Sequence, residues 1–413
     1  MNEAHLTATG ETPPVPVDRR WLARPMTVLA LLAATHFLVD LVAGTTNPIW
    51  PTLEENLRLN TGGLLWVYVA WSIATSFSQL LFGLWADRNH SRWLVWTGPG
   101  IAILCISCVG LVSSQLALAL LFVVGGLGVA AFHPEAAATA GSLLPNRRSR
   151  AMAVFALCGY LGQAAGPCYS GIMTDQFGVG GLRVGIVWGL PILFVLYLGL
   201  RGAPVISPHD ASGNAPKFEA GGKLSLIALL LAVGALRILP ALGVPLALAY
   251  TLKSTDAPNA MIGAVQSSFM AGIGLGAMVC AALIRHKRER TVLWVLPLCA
   301  APFLAALAYA GGWMLISLVG TCGLLLGVTM PVYISYGQQM LPHGQRVASA
   351  ITMGVSWGIG GGIVAFVLWI CMKYNSLSSI FGFFALAAIL SGGLCYFLPD
   401  PNHKEHCFES LDD

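Results

Sequence analysis

Charge is what this sequence has least of: Asp, Glu, Lys and Arg together supply 10% of its 413 residues. A soluble globular domain carries roughly 25%. The shortfall excludes a chain whose whole surface faces water, and a soluble two-domain enzyme with it. Clusters of basic residues interleaved with aromatics are also missing, so a net charge of +4 makes no case for nucleic acid. There is no glycine-rich phosphate loop for ATP. The ten cysteines are scattered, and all but Cys407 fall in apolar stretches. Cys105 and Cys108 are spaced like a redox pair, but no second pair accompanies them. No metal-ligand spacing links the histidines to the cysteines, so neither a metal site nor a cofactor is expected. The N-terminus lacks the short apolar core and small-residue cleavage site of a secretory signal.

What the sequence has instead is apolar length. It is 56% hydrophobic, with a mean hydropathy of +0.74. Its apolar residues come in blocks long enough to span a bilayer as helices, about 20 residues each. About twelve such blocks can be drawn, the first over 27–53 and the last over 377–398. Most separators are short. The exception is polar and rich in Pro and Gly (Pro204, Pro208, Gly213, Pro216, Gly221, Gly222) and reads as a linker. The expected layout is an all-α membrane protein of about twelve transmembrane helices in two pseudo-symmetric six-helix bundles. Residues 1–24 form a disordered cytoplasmic tail, 25–201 the first bundle, 202–223 a cytoplasmic linker, 224–399 the second bundle and 400–413 a cytoplasmic tail.

Charge placement supports that count. With the N-terminus in the cytoplasm, seventeen of the 22 Lys and Arg fall on the cytoplasmic side. Arg58, Arg183, Lys253 and Lys373 fall outside, and Arg237 lies within a helix. Such a bias is what membrane insertion selects. A faint internal repeat adds to it. At an offset of 197 residues, Asp40 meets Arg237, Pro48 meets Pro245, Arg88 meets Arg285, Gly126 meets Gly323 and Pro134 meets Pro331. Parallel repeats of this kind build transporters whose site lies between the halves near the midplane.

Five ionisable groups fall well inside the bilayer: His36, Asp40, His133, Glu135 and Arg237. Each, if charged, costs roughly 2.5–3.5 kcal/mol at the centre of a span, so retention points to a role or to a satisfied interhelical hydrogen bond. His36 and Asp40, four residues apart, share a helix face that Gly44, Pro48 and Pro51 continue. His133 and Glu135, two apart, cannot share one. Asp40 and Arg237 each lie thirteen residues into their block, roughly 20 Å deep. Opposite charges at matched depth suggest a pair or a substrate clamp. Tyr333, Tyr336, Gln338, Gln339 and Trp357 either shape a pocket or serve as packing and interfacial anchors.

Four segments carry a resemblance. The loop after the second helix reads Gly83-Leu-Trp-Ala-Asp87-Arg88-Asn-His-Ser-Arg92 and resembles the major facilitator signature. That resemblance gives Gly83, Asp87, Arg88 and Arg92 a part in the conformational cycle rather than in substrate binding. The fifth helix, with Gly159-Tyr-Leu-Gly162-Gln163-Ala-Ala-Gly166-Pro167, resembles the Gly-Pro motif of drug:proton antiporters in the same superfamily. Gly162 and Gly166 make a flat packing face there, and Pro167 can bend the helix. Together with His36-Phe-Leu-Val-Asp40 and Phe132-His133-Pro134-Glu135, these motifs are similar to the fosmidomycin-resistance family of bacterial exporters, over most of the first half.

The resemblance implies the major facilitator fold in a bacterial inner membrane, with both termini cytoplasmic. It implies a monomeric secondary transporter whose partners are a small molecule, protons and lipid. The reading is a proton-coupled exporter of a small amphiphilic or anionic compound, in which Asp40 carries the proton, with Glu135, His36 and His133 as further coupling candidates. Asp40, Arg237, Gln163, Tyr333 and Trp357 are the candidates for the substrate cavity. Uptake of a carboxylate or sugar by the same fold is the alternative, and a non-transporting sensor a more remote one.

Overall fold

The computed structural model describes residues 24–86, 93–144, 148–200, 224–283, 288–341 and 350–399. Nearly all of them are helical. The expected linker, most of both tails, and Asp87, Arg88 and Arg92 of the loop motif lie outside the described residues.

The helices of the first half are α1 (Pro25–Gly44), α2 (Trp50–Leu57), α3 (Thr61–Ala86), α4 (Leu94–Ser107), α5 (Gln115–Leu143), α6 (Arg148–Phe177) and α7 (Val184–Leu200). Those of the second half are α8 (Leu224–Lys253), α9 (Asn259–Leu283), α10 (Glu289–Ala306), α11 (Gly312–Met340), α12 (Ser356–Lys373) and α13 (Ser379–Cys395). Among the described residues, eleven spans are long and apolar enough to cross a membrane, and α13, at 17 residues, sits at the short end of what spans. With the eight-residue α2 set aside, the described residues make six spans in each half. Large apolar side chains point outward where a soluble protein would place charge, Trp66 being 72% exposed and Val187 73%. Helices apolar all round are what a lipid surface selects.

The first expected block, 27–53, is broken. Helix α1 stops at Gly44, and residues 45–49 form turns before α2 begins. Thr45 and Thr46 turn their hydroxyls back to the carbonyls of Val42 (2.6 Å) and Ala43 (2.9 Å). Pro48 offers no N–H to continue the ladder and disfavours a helical residue before it. The stripe from Asp40 through Pro48 to Pro51 therefore does not continue on one helix. Its repeat mate Pro245 lies inside α8, which runs on unbroken to Lys253.

Two long contacts join the halves, α6 against α9 and α3 against α12, and α2 adds a smaller one with α8. On the face that carries α2, the carboxylate of Asp175 at the end of α6 accepts from Asn259 N (2.9 Å), Asn259 Nδ2 (2.8 Å) and Ala260 N (2.8 Å). It thus caps a helix of the opposite half, where orphan N–H groups and the helix dipole favour an anion. Beside it Tyr250 donates to Glu54 Oε2 (2.8 Å), and Lys253 pairs with Glu55 (3.2 Å). Gln266 Nε2 donates to Pro245 O (2.7 Å) and reaches Asn47 O at 3.4 Å, tying together the proline regions of the two halves. The α2 face is closed in this conformation.

Candidate functional site

The Gly-Pro run of α6 sets up the site. A methyl at Gly162 would stand 2.9 Å from Leu41 N and collide with the Phe37 carbonyl; one at Gly166 would meet the backbone of Leu41 and Gly44. Only hydrogen at both positions lets α6 lie directly on α1, as small residues do at membrane helix interfaces. Pro167, on the same helix, presents its carbonyl to Gly263 of α9, so this one stretch contacts both halves.

Close packing of α6 on α1 brings three polar groups together. Asp40 and His36 come from successive turns of α1, and His133 comes from α5. His36 Nε2 lies 3.3 Å from Asp40 Oδ2, and His133 Nε2 lies 3.2 Å from Asp40 Oδ1. His36 and Asp40 are each 7% exposed, whereas the His133 side chain keeps 23% of its surface open. Both rings are anchored from behind. His36 Nδ1 is 2.8 Å from Phe155 O, and His133 Nδ1 is 2.8 Å from Val129 O. A carbonyl only accepts, so each Nδ1 carries the hydrogen and each Nε2 turns toward the carboxylate. The Phe155 ring stacks on His36 at 4.1 Å, and the two imidazoles meet edge-on at 5.1 Å. Gly159 leaves the room: a methyl there would stand 2.6 Å from His36 Nε2 and 2.9 Å from Asp40 Oδ2. Glu135 is half-buried elsewhere on α5 and is not among Asp40's ion-pair partners.

In the second half Arg237 is 3% exposed on α8. Its Nη1 reaches Thr329 Oγ1 at 3.4 Å and Met330 Sδ at 3.0 Å on α11, and the guanidinium lies 4.4 Å over the Tyr333 ring. Its Nε is buried without a hydrogen-bond partner, and among the described residues it has no carboxylate partner. Tyr333 donates to the carbonyl of Leu230. A π-helical turn over Ala350–Val355 places Ser356 next to Gly234 and the Tyr333 hydroxyl, and Ser356 donates to Ile351 O (2.6 Å). Trp357 packs with Ile238, Ala241 and Met330.

Of the candidates read from the sequence, the structure therefore gathers His36, Asp40 and His133 in one cluster and Arg237, Tyr333 and Trp357 in another. Asp40 and Arg237 do not pair; each charge is held within its own half. Gln163 is half-buried on α6, with its backbone carbonyl beside Gly44. A methyl at Gly83 would stand 3.7 Å from Pro134 of α5, so the described part of the loop motif is a helix-packing position. Sequence reasoning missed Tyr160. It packs against Gly274 of α9 and lies within electrostatic reach of both Asp40 and Arg237. The repeat could have found it, since 197 residues on stands Trp357.

A buried ionisable cluster in each half of a six-plus-six helical membrane protein is a transporter's arrangement, and the family comparison agrees. The Major Facilitator Superfamily profile matches residues 32–365. The chain belongs to this superfamily. It is a multi-pass membrane transporter and not an enzyme. The fosmidomycin resistance protein of Escherichia coli K12 is 23% identical over 385 residues, covering 92% of this chain and 94% of that one. Among solved structures, the nucleoside transporter NupG superposes with a TM-score of 0.70 at 13% identity, covering 90% of this chain and 99% of that one. A D-xylose-proton symporter gives 0.71 at 12%, covering 91% and 98%. At such identities the structural likeness shows the major facilitator fold and nothing of the cargo.

Proposed function

We propose that this superfamily member is a proton-coupled exporter of a small amphiphilic or anionic compound, seated in a bacterial inner membrane with both termini cytoplasmic. The observation that carries the reading is the buried Asp40 carboxylate flanked by two imidazoles at 3.2 and 3.3 Å. A carboxylate so placed gains or loses a proton according to how closely cations and water approach it. Movement of α1 against α5 and α6 changes both, which couples proton occupancy to the conformational cycle. Arg237 supports an anionic cargo, because a buried guanidinium with an unpartnered Nε has bonding capacity to offer a carboxylate or phosphonate. Export is favoured by similarity, along nearly the whole chain, to a relative named for resistance to a drug. In the orientation set by the charge bias, the closed α2 face is the external one, and its opening together with closure of the cytoplasmic side completes the cycle.

The test is flux in proteoliposomes with an imposed pH gradient, paired with a toxicity screen in an efflux-deficient host. Proton-linked efflux of a compound to which expression confers resistance is the expected result. Accumulation of substrate along the inward proton gradient would reverse the direction, and ligand binding without flux would replace transport by sensing.

A further inference from the structure

The His36–Asp40–His133 cluster has a feature that proton carriage does not require. The Asp40 carboxylate and the two Nε2 atoms face one another at separations longer than charge-assisted hydrogen bonds. Asp40 Oδ1 is buried and has no hydrogen-bond donor directed at it, although His133 Nε2 stands 3.2 Å away. A charge-assisted N–H···O bond closes to about 2.7–2.9 Å. Each imidazole instead faces its own carboxylate oxygen, His133 Nε2 at 3.2 Å from Oδ1 and His36 Nε2 at 3.3 Å from Oδ2, and both separations are near the roughly 3.3 Å between neighbouring ligand atoms of a tetrahedral site with bonds of about 2.0–2.1 Å. The two Nε2 atoms and a carboxylate oxygen all lie within 4.8 Å of one another.

The surrounding residues complete the pattern. Metal-binding imidazoles commonly donate their other ring N–H to a carbonyl or carboxylate, which fixes the tautomer and aims the free lone pair. Here both do so, His36 to Phe155 O and His133 to Val129 O, each at 2.8 Å. With both Nδ1 atoms donating to carbonyls, each Nε2 faces the carboxylate and holds either its own proton or a lone pair for a shared cation. Stacking on Phe155 holds the His36 ring in that orientation. The partly open side of His133 supplies an approach.

We infer that His36 Nε2, His133 Nε2 and Asp40 form a two-nitrogen, one-oxygen site for a divalent transition metal of the zinc or cobalt type, joining α1 to α5 with one position left for water or another ligand. Imidazole and carboxylate donors suit such borderline ions. The inference revises the expectation of no metal site, which rested on the absence of sequence spacing between His and Cys. It stands on the geometry of the cluster and shares Asp40 with the proton-coupling reading, for which a bound metal would be a competitor; metal binding and proton-linked flux are separate measurements, so the failure of one is told apart from the failure of the other.

The test uses full-length protein purified in detergent through a tag free of histidine, titrated with Co2+ and with Zn2+. The expected result is one ion per chain, a Co2+ absorption spectrum of low-symmetry nitrogen and oxygen ligation, and Co–ligand distances from X-ray absorption with two imidazoles in the shell. His36→Gln and His133→Gln should each weaken binding more than about tenfold, because loss of an outer-shell partner alone costs 10–100-fold. Replacing the seven histidines outside the cluster, His5, His90, His209, His286, His343, His403 and His406, should leave it unchanged. The absorption measurement on unaltered protein keeps the test decisive if a cluster variant fails to fold. Absence of a two-imidazole shell, or binding abolished by replacing the histidines outside the cluster alone, would overturn the site and leave protons as the cation of the cluster.

Discussion

The two halves hold their buried charges by the same contact and satisfy them in different ways. At the internal offset of 197 residues, Asp40 corresponds to Arg237, and His133 corresponds to Met330. The contact between Asp40 and His133 across α1 and α5 thus has its counterpart between Arg237 and Met330 across α8 and α11. In the first half the anion has two ionisable partners. In the second the cation has a hydroxyl, a thioether and an aromatic face, all neutral. The repeated backbone therefore fixes where a charge sits, and the side chain opposite decides whether it is balanced. A balanced cluster can exchange a cation internally. An unbalanced buried cation is costly unless something outside the fold completes it, and that asymmetry is the basis of the proposal that one half couples and the other holds the cargo.

The largest effect should come from removing the anion at the centre of the balanced half. Asp40→Asn keeps shape and discards charge. Gradient-driven transport should fall by more than about tenfold, the equivalent of about 1.4 kcal/mol, while counterflow exchange, which needs no net proton movement, continues. Uphill transport by the variant would remove Asp40 from the role and move attention to Glu135.

Next is the unbalanced half. Arg237→Lys retains charge but loses the planar fork, and Arg237→Ala loses both. If Arg237 serves the cargo, substrate affinity should drop by about 10–100-fold, as expected for loss of a charge-assisted hydrogen bond of ~1.5–3 kcal/mol. The pH optimum should not move, because Asp40 takes its partners from its own half. A shift of the optimum to more alkaline values in Arg237→Ala would instead couple the halves electrically and undo the assignment. Transport assayed across pH for both variants decides it.

A structural comparison follows. Gly159→Ala should lower stability by about 1–3 kcal/mol, the usual cost of overpacking, and should also perturb coupling, since the new methyl meets both His36 and Asp40. Gly362→Ala on α12 meets nothing within 4 Å and should leave thermal stability unchanged or raise it by up to about 1 kcal/mol through helix propensity. Equal losses in the two variants would show that the room at Gly159 is not specific to the cluster. The smallest effect is expected at the surface contact between the halves. Glu55 is 57% exposed in its pair with Lys253, so Glu55→Gln should change stability by less than about 1 kcal/mol in a denaturation assay.

Much of the site was legible as residue types. His36 and Asp40 share a face because of their spacing, and the rule that His133 and Glu135 cannot do so is met, with His133 in the cluster. Which of those two it would be depends on how α5 is rotated about its axis, and a helix apolar on every side carries no periodicity that marks its inward face. The Asp40–Arg237 pair looked plausible because depth and repeat position can be read along the chain, whereas distance across the bundle cannot. The break at residues 45–49 was signalled by Pro48, but a continuous apolar block hid it. Tyr160 sat inside a quoted motif and was passed over because its neighbours drew attention as packing glycines.

By itself the sequence determined the membrane, the number of spans, the division into two halves and the buried ionisable groups. These follow from local quantities: the length of apolar runs, the placement of charge and the cost of a charge in lipid. Only the tertiary structure decided which groups meet. The approach of α6 to α1 through Gly162 and Gly166, the anchoring of two imidazoles on carbonyls of α5 and α6, and the lack of an acid beside Arg237 among the described residues all depend on the rotation and separation of helices far apart in the chain. In a bilayer those are set by close packing of small residues rather than by any amphipathic pattern, so the one-dimensional sequence carries the parts of the site but not their arrangement.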